Sequence, residues 1–307
     1  MILICDCGST KAEWVVLDGG RVEKRFVSEG FNPNICDVET ITEIIRDVYK
    51  NIDNQNVTDI YFYGSGCGSE ANRLRVNMLF NKIFSKAQAN VFPDTLGACH
   101  ALFGRNAGVA CILGTGSNAC AYNGESITQS IVSLGFIIGD EGSGCHIGKR
   151  IVHDYFLGIM PEDLRTKFDE KYHLDREAFL KKVYQGEQPS RYLAEFARFA
   201  AENVDNQYIK EVVSQCFEEF IYLSFRPKRN EVKCSGEILG LRKQSNDNGN
   251  GGFLDFARND VLGFVGSVAF TFKDILTKCL ENHNIKNVKI LKNPMDGLIE
   301  YYKDFIA

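Results

Sequence analysis

The sequence predicts an α/β protein made of two similar half-domains that face each other. Near the amino terminus a strand, a Gly-Ser turn, a second strand, a glycine hairpin and a third strand follow one another, and the same plan begins again at Val109. The two turns are centred on Gly8-Ser9 and Gly116-Ser117. Self-similarity of this kind indicates a repeated unit, although two glycine turns can also match by chance.

The length, the charge and the amino-terminal residues restrict the classes of protein to which this sequence can belong. The chain has 307 residues, which suits two domains or one large one, and its formal net charge is −5. A mildly acidic chain without basic runs is a poor match for nucleic acid or an anionic membrane. The amino-terminal apolar run is too short for a signal peptide, and no apolar stretch is long enough for a membrane span. We therefore expect a cytoplasmic protein that binds neither nucleic acid nor a membrane.

Cysteines are frequent in this chain. There are 11 of them, an odd number, spread along the sequence without a Cys-x-x-Cys pair. In a chain with no export signal this distribution is typical of reduced thiols rather than of a disulfide framework. We expect them to be buried small apolar residues and expect no metal centre among them.

Hydrophobic periodicity gives the elements in order, with alternation for strands and i, i+3, i+4 spacing for helices. In the first half, the predicted strands are residues 1–5, 12–17, 21–28, 59–63 and 90–92, and the predicted helices are 38–52, 70–87 and 95–103. In the second half, the predicted strands are 109–113, 119–122 and 288–291, and the predicted helices are 143–157, 161–170, 176–184, 191–204, 207–225, 266–282 and 294–305. The Asn- and Gly-rich stretch within 226–260 indicates a loop.

The first glycine turn carries the groups that bind anionic oxygen. After a buried strand ending at Asp6, the sequence continues Cys-Gly8-Ser9-Thr10-Lys11. Backbone N–H groups and hydroxyls can donate to phosphate, glycine permits close approach, and the lysine adds positive charge. Asp6 is placed to hold Mg²⁺, directly or through water. An ordinary β-turn with a capping hydroxyl remains the alternative interpretation.

The second turn, Gly114-Thr115-Gly116-Ser117, offers the same donors again. Two such turns favour phosphate binding more than one does, although neither matches a Walker A loop. Between them in sequence, Asp94 stands where a predicted strand meets a helix. It is a candidate general base for an attacking hydroxyl, and helix capping is its alternative role.

Two further segments combine glycine with functional groups. Residues 135–144 contain four glycines and two adjacent acids, Asp140 and Glu141, a composition that favours a binding loop. Residues 263–269 place Gly263 and Gly266 ahead of a predicted helix. That arrangement brings backbone close either to a nucleoside or to a neighbouring helix.

Taken in order, these motifs resemble the BadF/BadG-type ATPase family, which includes the eukaryotic N-acetylglucosamine kinases, within the actin/hexokinase/Hsp70 superfamily. The resemblance runs from Met1 to about Arg226 and resumes near Leu262. It implies an α/β fold of two ribonuclease-H-like, actin-like ATPase domains with a nucleotide cleft between them. The implied domains are residues 1–108 and residues 109–292 with a helical insertion, and the last helix, within 293–307, packs back on the first.

The resemblance also implies an activity, its cofactors and its site. The activity is ATP-dependent phosphorylation of the 6-hydroxyl of an amino sugar such as N-acetylglucosamine or glucosamine, with Mg²⁺ near Asp6 and Asp94 as the base. The implied phosphate contacts are Gly8, Ser9, Thr10, Lys11, Gly114, Thr115, Gly116 and Ser117. The implied adenosine contacts are Gly263, Gly266 and Ser267, and the implied sugar contacts are Asn32, Ser65, Gly66, Asn118, Gly135 and Asp140.

The sequence departs from this family at one informative point and leaves other functions open. Leu134-Gly135 stands where the N-acetylglucosamine kinases have Trp-Gly, so an aromatic sugar contact is missing. One alternative is an activator ATPase, a dimer that bridges an iron–sulfur cluster through cysteines, for which Cys67 and Cys99 are the candidates. Another is a sugar or nucleotide sensor without catalysis. The oligomeric state, including a homodimer, also stays open.

Overall fold

The computed structural model describes residues 1–52, 56–225 and 261–306, so the loop expected at 226–260 lies outside the described residues. The strands are β1 (Ile2–Cys7), β2 (Lys11–Asp18), β3 (Arg21–Glu29), β4 (Asp59–Gly64), β5 (Gln88–Pro93), β6 (Gly108–Leu113), β7 (Ser117–Tyr122), β8 (Ile127–Ser130), β9 (Val261–Val265) and β10 (Val288–Leu291). The helices are α1 (Val38–Asn51), α2 (Glu70–Ile83), α3 (Asp94–Phe103), α4 (Gly135–Ile138), α5 (Gly144–Phe156), α6 (Glu162–Tyr172), α7 (Arg176–Gln185), α8 (Pro189–Glu195), α9 (Ala197–Glu202), α10 (Gln207–Phe225), α11 (Ser267–Thr271), α12 (Lys273–Asn282) and α13 (Met295–Ile306).

Two five-stranded sheets of the same topology form the centre of the molecule. The first has the order β3-β2-β1-β4-β5, and the second has the order β8-β7-β6-β9-β10. In each sheet the first three strands of the repeat are antiparallel, and the last two join them in parallel. The predicted α/β class and its repeated unit are therefore confirmed.

Strand β1 belongs to two apolar cores at once. Cys5 and Cys7 face one core and Ile2 and Ile4 face the other, because successive strand residues point to opposite sides of a sheet. The first core also contains Trp14, which is fully buried and donates its indole N–H to Ser28 Oγ at 2.8 Å. Helices α1 and α2 pack on this side of the sheet.

The opposite face of the first sheet is covered by α13, the carboxy-terminal helix. Its Met295 and Leu298 pack with Ile4 and Val15 in one buried cluster. Helix α13 also lies directly against α3, because a Cβ on Gly297 would overlap the backbone carbonyl of Ala101. The last helix of the chain thus packs on the first sheet, while the domain limits at 108 and 292 stay predictions.

Helix α3 is shared between the two sheets. Its Ala101 packs in the cluster that α13 closes, whereas Cys99 and Leu102 pack with Cys120 and Val265 of the second sheet. This helix begins at Asp94, where β5 ends. The amino-terminal end of α3 is therefore fixed by contacts with both halves.

A helical layer covers the other face of the second sheet. Ile147 and Ile151 of α5 and Phe217 of α10 pack against Val109 and Cys111 of β6 in the largest core. Among the described residues no helix combines the length and the apolarity that a bilayer span requires. This layer is formed by helices that lie in the chain between β8 and β9.

Two predicted helices are divided in the structure, and one strand was not predicted. The helix predicted over 191–204 is interrupted at Phe196, whose N–H bonds to Leu193 O in a tighter turn. The helix predicted over 266–282 divides at Phe272. Strand β9 was not predicted at all, because a glycine in its middle and the polar stretch before it weaken the strand pattern.

Candidate functional site

The first turn joins β1 to β2 and is closed by its own backbone. Gly8 N–H donates to Lys11 O at 3.0 Å, and residues Gly8 to Lys11 are exposed. The chain passes directly beneath this turn at Gly30, where a Cβ would overlap Gly8 O and crowd Lys11 N at 2.5 Å. The turn therefore presents its hydroxyls and outer N–H groups to solvent on a backbone support.

Three of the expected sugar contacts meet beside this turn. Ser9 Oγ donates to Ser65 Oγ at 3.3 Å, and Asn32 Nδ2 lies 3.5 Å from Ser9 Oγ. Gly66 adopts a φ of +77° and abuts the amide of Asn32, so closely that a Cβ on Gly66 would overlap Asn32 Oδ1. Glycine is thus required at position 66 by both its conformation and its contact.

Helix α2 holds the two loops that carry these residues. The Asn72 amide donates to Asn34 Oδ1 at 2.7 Å and to Gly66 O at 2.8 Å, so one side chain bridges both loops. Arg73 donates to Gly68 O at 2.7 Å, and Arg75 donates to Pro33 O. The bonds to Asn34 and Pro33 could not be predicted from the sequence, because these partners lie 38 and 42 residues away from Asn72 and Arg75.

Two partly buried carboxylates, Asp6 and Asp94, lie where β1 and β5 end, at the same edge of the first sheet. Asp94 is the first residue of α3, and its Oδ1 accepts the Thr95 N–H at 2.9 Å. Burial raises the pKa of Asp94 to about 6, and the N–H groups of Thr95 and Asp94 oppose this shift. Burial also raises the pKa of Asp6 to about 7, with the charges of Asp94 and Glu13 adding to the effect.

Asp6 is the residue expected to hold Mg²⁺. In residues 1–52, 56–225 and 261–306 no group of three or more His, Cys, Asp and Glu side chains is arranged to hold a metal. Mg²⁺ does not need such a cage, because it keeps several waters and binds through one or two carboxylates and substrate phosphates. The charges of Asp94 and Glu13 add to the effect of burial on the pKa of Asp6, and a divalent cation would offset their repulsion. Asp6 therefore fits a Mg²⁺ ion held largely by water and phosphate oxygens.

The second turn is built into the start of α5. Gly114 N–H donates to Gly116 O at 3.0 Å, while the N–H groups of Gly144 and Cys145 donate to Gly114 O at 2.8 Å and Thr115 O at 3.1 Å. Because the turn carbonyls accept the helix N–H groups, they are occupied on the helix side. The exposed Thr115 hydroxyl is left on the open side of the turn.

Gly266 supports the second turn much as Gly30 supports the first. Its φ is +132°, and a Cβ there would overlap Leu113 O and approach Gly114 N at 3.3 Å. Ser267 follows directly, exposed, as the first residue of α11. Gly266 therefore lies beside the second turn, with the exposed Ser267 next to it in the sequence.

Asp140 lies against the second turn. Its Oδ1 accepts the Ser117 N–H at 3.2 Å, and a Cβ on Gly116 would stand 3.0 Å from both of its carboxylate oxygens. The residue has a φ of +62°, a left-handed conformation that is uncommon outside glycine. Burial raises the pKa of Asp140, while the Ser117 N–H and the charge of Lys149 lower it.

Asn118 lies on β7, directly after the second turn. It pairs with Ile112 in the sheet and shares a face of β7 with Cys120. The Cys120 thiol lies 4.0 Å from Thr95 O, next to Asp94 in sequence. Asn118, one pleat nearer the turn, is therefore on the side of the second sheet that faces the start of α3.

Two predicted site residues make none of the contacts described above. Gly263 lies inside β9 facing α3, where a Cβ would stand 2.7 Å from Leu102 and 3.0 Å from Phe103. Its small size serves helix packing, so the structure gives no support to an adenosine contact at Gly263. Gly135 begins the short helix α4, with a φ of +72° and no heavy atom within 4 Å of an added Cβ. The helix α4 separates Gly135 from Asp140.

The cysteines proposed for an iron–sulfur bridge are both buried. Burial raises the pKa of the Cys67 thiol to about 12, and the Cys99 thiol is packed 3.4 Å from that of Cys120, which raises its pKa as well. A cluster shared between subunits needs exposed thiolates. These two side chains do not provide them.

Comparisons with known proteins agree with this architecture. No protein-family model and no curated protein matches the chain. Among solved structures, a candidate N-acetylglucosamine kinase from Porphyromonas gingivalis aligns over 99% of this chain and 99% of its own, with a TM-score of 0.85 and 32% identity. A candidate N-acetylglucosamine kinase from Chromobacterium violaceum aligns over 98% of both chains, with a TM-score of 0.65 and 14% identity.

A more distant match extends the fold comparison. A ROK family glucokinase from Streptomyces griseus, solved in complex with glucose and AMPPNP, covers 99% of this chain and 98% of its own, with a TM-score of 0.55 and 14% identity. These matches define the fold as that of the actin-like ATPases. The chain belongs to the N-acetylglucosamine kinase-like family of that fold, and the resemblance read from the motifs is confirmed.

Proposed function

We propose that this protein is an ATP-dependent kinase that phosphorylates the 6-hydroxyl of an amino sugar such as N-acetylglucosamine or glucosamine. One observation carries the proposal. Asp94, a half-buried carboxylate with a raised pKa of about 6, begins the helix shared by both sheets, and its charge contributes to the raised pKa of Asp6. A carboxylate with a pKa near the working pH is suited to accept a proton from an attacking hydroxyl.

The nucleotide phosphates would bind at the two turns. The first offers the exposed groups of Ser9, Thr10 and Lys11, and the second offers Thr115 and the outer backbone of Gly116. Backbone N–H groups and hydroxyls can donate hydrogen bonds to the phosphates of ATP, and one lysine adds positive charge. Because the chain has a net charge of −5, this stabilisation must come from groups close to the phosphates. Mg²⁺ bound with ATP near Asp6 would supply positive charge to the phosphate oxygens.

The sugar would lie between Asp94 and two groups of polar residues beside the turns. Asn32, Ser65 and Gly66 form one group, and Asn118 and Asp140 form another. In the transfer, the sugar oxygen forms a bond to the γ-phosphorus, the bond to ADP breaks, and the hydroxyl proton passes to the Asp94 carboxylate. Phosphoryl transfer depends chiefly on positioning and charge stabilisation, so this set of groups is sufficient for it.

The comparisons support a sugar as the acceptor. The relative with 32% identity over its full length is a candidate N-acetylglucosamine kinase, and a glucokinase of the same fold was solved with glucose and AMPPNP. The preference for an amino sugar and for its 6-hydroxyl rests on the family resemblance together with the polar groups around Asp94.

A coupled assay for ADP, run over glucosamine, N-acetylglucosamine and glucose, tests the proposal. The variant Asp94→Asn should lose about 10²- to 10⁴-fold in kcat, because it removes the proton acceptor, while ATP affinity in calorimetry stays near the wild-type value. Asp274→Asn, an exposed carboxylate in the first turn of α12, is the matched control and should keep full activity. Wild-type turnover by Asp94→Asn would exclude Asp94 as the base.

A further inference from the structure

His146 makes two contacts that join three segments around the Asp140 loop. It lies in the first turn of α5, and its side chain is only 12% exposed. Its Nδ1 accepts the backbone N–H of Gly142 at 3.1 Å. Its Nε2 lies 3.5 Å from Oε2 of Glu219, on α10. The imidazole therefore stands between the loop that carries Asp140 and a helix of the core layer.

These contacts define the protonation of the ring. A backbone N–H can only donate, so Nδ1 must be unprotonated and the proton of the neutral ring lies on Nε2, towards Glu219. Burial lowers the pKa of His146 to about 4, and the charges of Lys149 and Arg150 on the same helix act in the same direction, against Glu141 of the loop. Near neutral pH the ring is thus a fixed acceptor for the Gly142 N–H.

The loop that His146 holds has an unusual backbone. Asp140 and Gly142 both have left-handed φ angles, +62° and +71°. A Cβ on Gly142 would stand 2.8 Å from Phe220, so the loop is pressed against the core, and Ser143 N–H donates back to Asp140 O at 3.2 Å. A non-glycine residue keeps such a conformation only where its surroundings impose it.

We propose that His146 is a positioning residue that sets the Asp140 carboxylate for the sugar by accepting the Gly142 N–H at Nδ1. The inference rests on the proposed function, in which Asp140 contacts the sugar. Through Asp140, whose Oδ1 accepts the Ser117 N–H, the same contact also fixes the loop against the second turn. His146 itself touches neither substrate nor reacting atoms.

Two conservative variants separate this role from general packing. In His146→Asn the side-chain oxygen can occupy the place of Nδ1 and accept the same N–H, whereas in His146→Gln the amide reaches the place of Nε2. Sugar KM should stay near wild type in His146→Asn and rise about tenfold or more in His146→Gln and His146→Leu, as expected for a lost hydrogen bond. KM for ATP should change little in all three.

The matched control is His153→Gln, a more exposed histidine later on the same helix, which should leave sugar KM unchanged. Equal sugar KM in His146→Asn, His146→Gln and wild type would overturn the positioning role. An equal loss in His146→Asn and His146→Leu would also overturn it, because the retained acceptor would then have no effect.

Hydrogen exchange gives a readout that does not depend on catalysis. The Gly142 amide should be protected in wild type and His146→Asn, and should exchange faster in His146→Gln and His146→Leu. Absence of any sugar phosphorylation by wild-type protein would contradict the proposed function, and with it the role of Asp140 towards the sugar. Unchanged Gly142 exchange in His146→Leu would instead contradict the contact on which this inference depends.

Discussion

At the scale of single residues, the site depends on two carboxylates, Asp6 at the end of β1 and Asp94 after β5, whose charges interact. The pKa of Asp6 is raised to about 7 and that of Asp94 to about 6, mainly by burial. Their unfolded values are lower, so the folded protein binds more protons than the unfolded chain between about pH 4 and pH 7, and stability declines as pH rises through that window. Ionisation of Asp6 and Asp94 therefore lowers the stability of the folded protein, a trade-off that is common at reactive sites.

The same shift predicts the pH dependence of the reaction. Because Asp94 must be ionised to accept a proton, kcat/KM should fall about tenfold per unit as pH drops below about 6, and should level off above it. Initial rates at fixed saturating Mg²⁺ between pH 4.5 and 8 measure this limb. The residual activity of Asp94→Asn should lack the limb, and a wild-type profile that stays flat down to pH 5 would contradict the assignment.

At the scale of elements, each glycine turn is supported by a second glycine from elsewhere in the chain. Gly30 lies beneath the first turn, and Gly266 lies beneath the second. The N–H groups at the start of α5 further fix the second turn through its carbonyls. The geometry of each turn is thus a property of paired segments rather than of the turn sequence alone.

Gly30→Ala tests this pairing. The added Cβ would overlap Gly8 O, so the turn must shift, and we expect ATP affinity to fall and the free energy of unfolding to drop by about 1 to 3 kcal/mol. Calorimetry with ATP and urea titration measure both effects. Gly68→Ala is the matched control, because no heavy atom lies within 4 Å of a Cβ there and its φ is not left-handed. Equal ATP affinity in the two variants would refute the supporting role of Gly30.

Much of the element order could be predicted from local pattern. Strands β1 to β3 have clear alternation and turn signals, and helix α10 matches the predicted residues 207–225. Strand β9 could not be predicted, because Gly263 weakens the pattern and the strand is stabilised by pairing with β6 and β10. At the break in the predicted 191–204 helix, Phe196 packs against Phe168, a tertiary contact that a local pattern does not reveal.

The residues of the candidate site likewise include some that could be predicted from the sequence and some that could not. The two turns, Asp94 and Asp140 could be predicted, since glycine, hydroxyl and acid stand next to one another in the sequence. The roles of Asn72 and His146 could not, because their partners are chosen by tertiary packing. The small size of Gly263 predicted close approach of the backbone to a neighbour. The sequence does not show whether that neighbour is a nucleoside or helix α3.

At the scale of the whole molecule, helix α3 ties the halves together. Tyr63 of β4 shares hydrogen bonds with His100 Nδ1 at 2.8 Å and with the Tyr302 hydroxyl of α13 at 2.7 Å. Tyr122 of the second sheet packs edge-on against the same imidazole. Burial lowers the pKa of His100 to about 4, so this network is neutral near pH 7. The helix that positions Asp94 is consequently held by elements of both units.

The central claim is that these two units bring ATP and a sugar 6-hydroxyl together at Asp94. The most direct measurement is the structure of the product formed from ATP, Mg²⁺ and N-acetylglucosamine or glucosamine, with the phosphorylated position determined by phosphorus and proton NMR. We predict a sugar 6-phosphate, formed in equal amount to ADP and absent with Asp94→Asn. Release of ADP without a phosphorylated sugar, or phosphate on a different oxygen, would contradict the account.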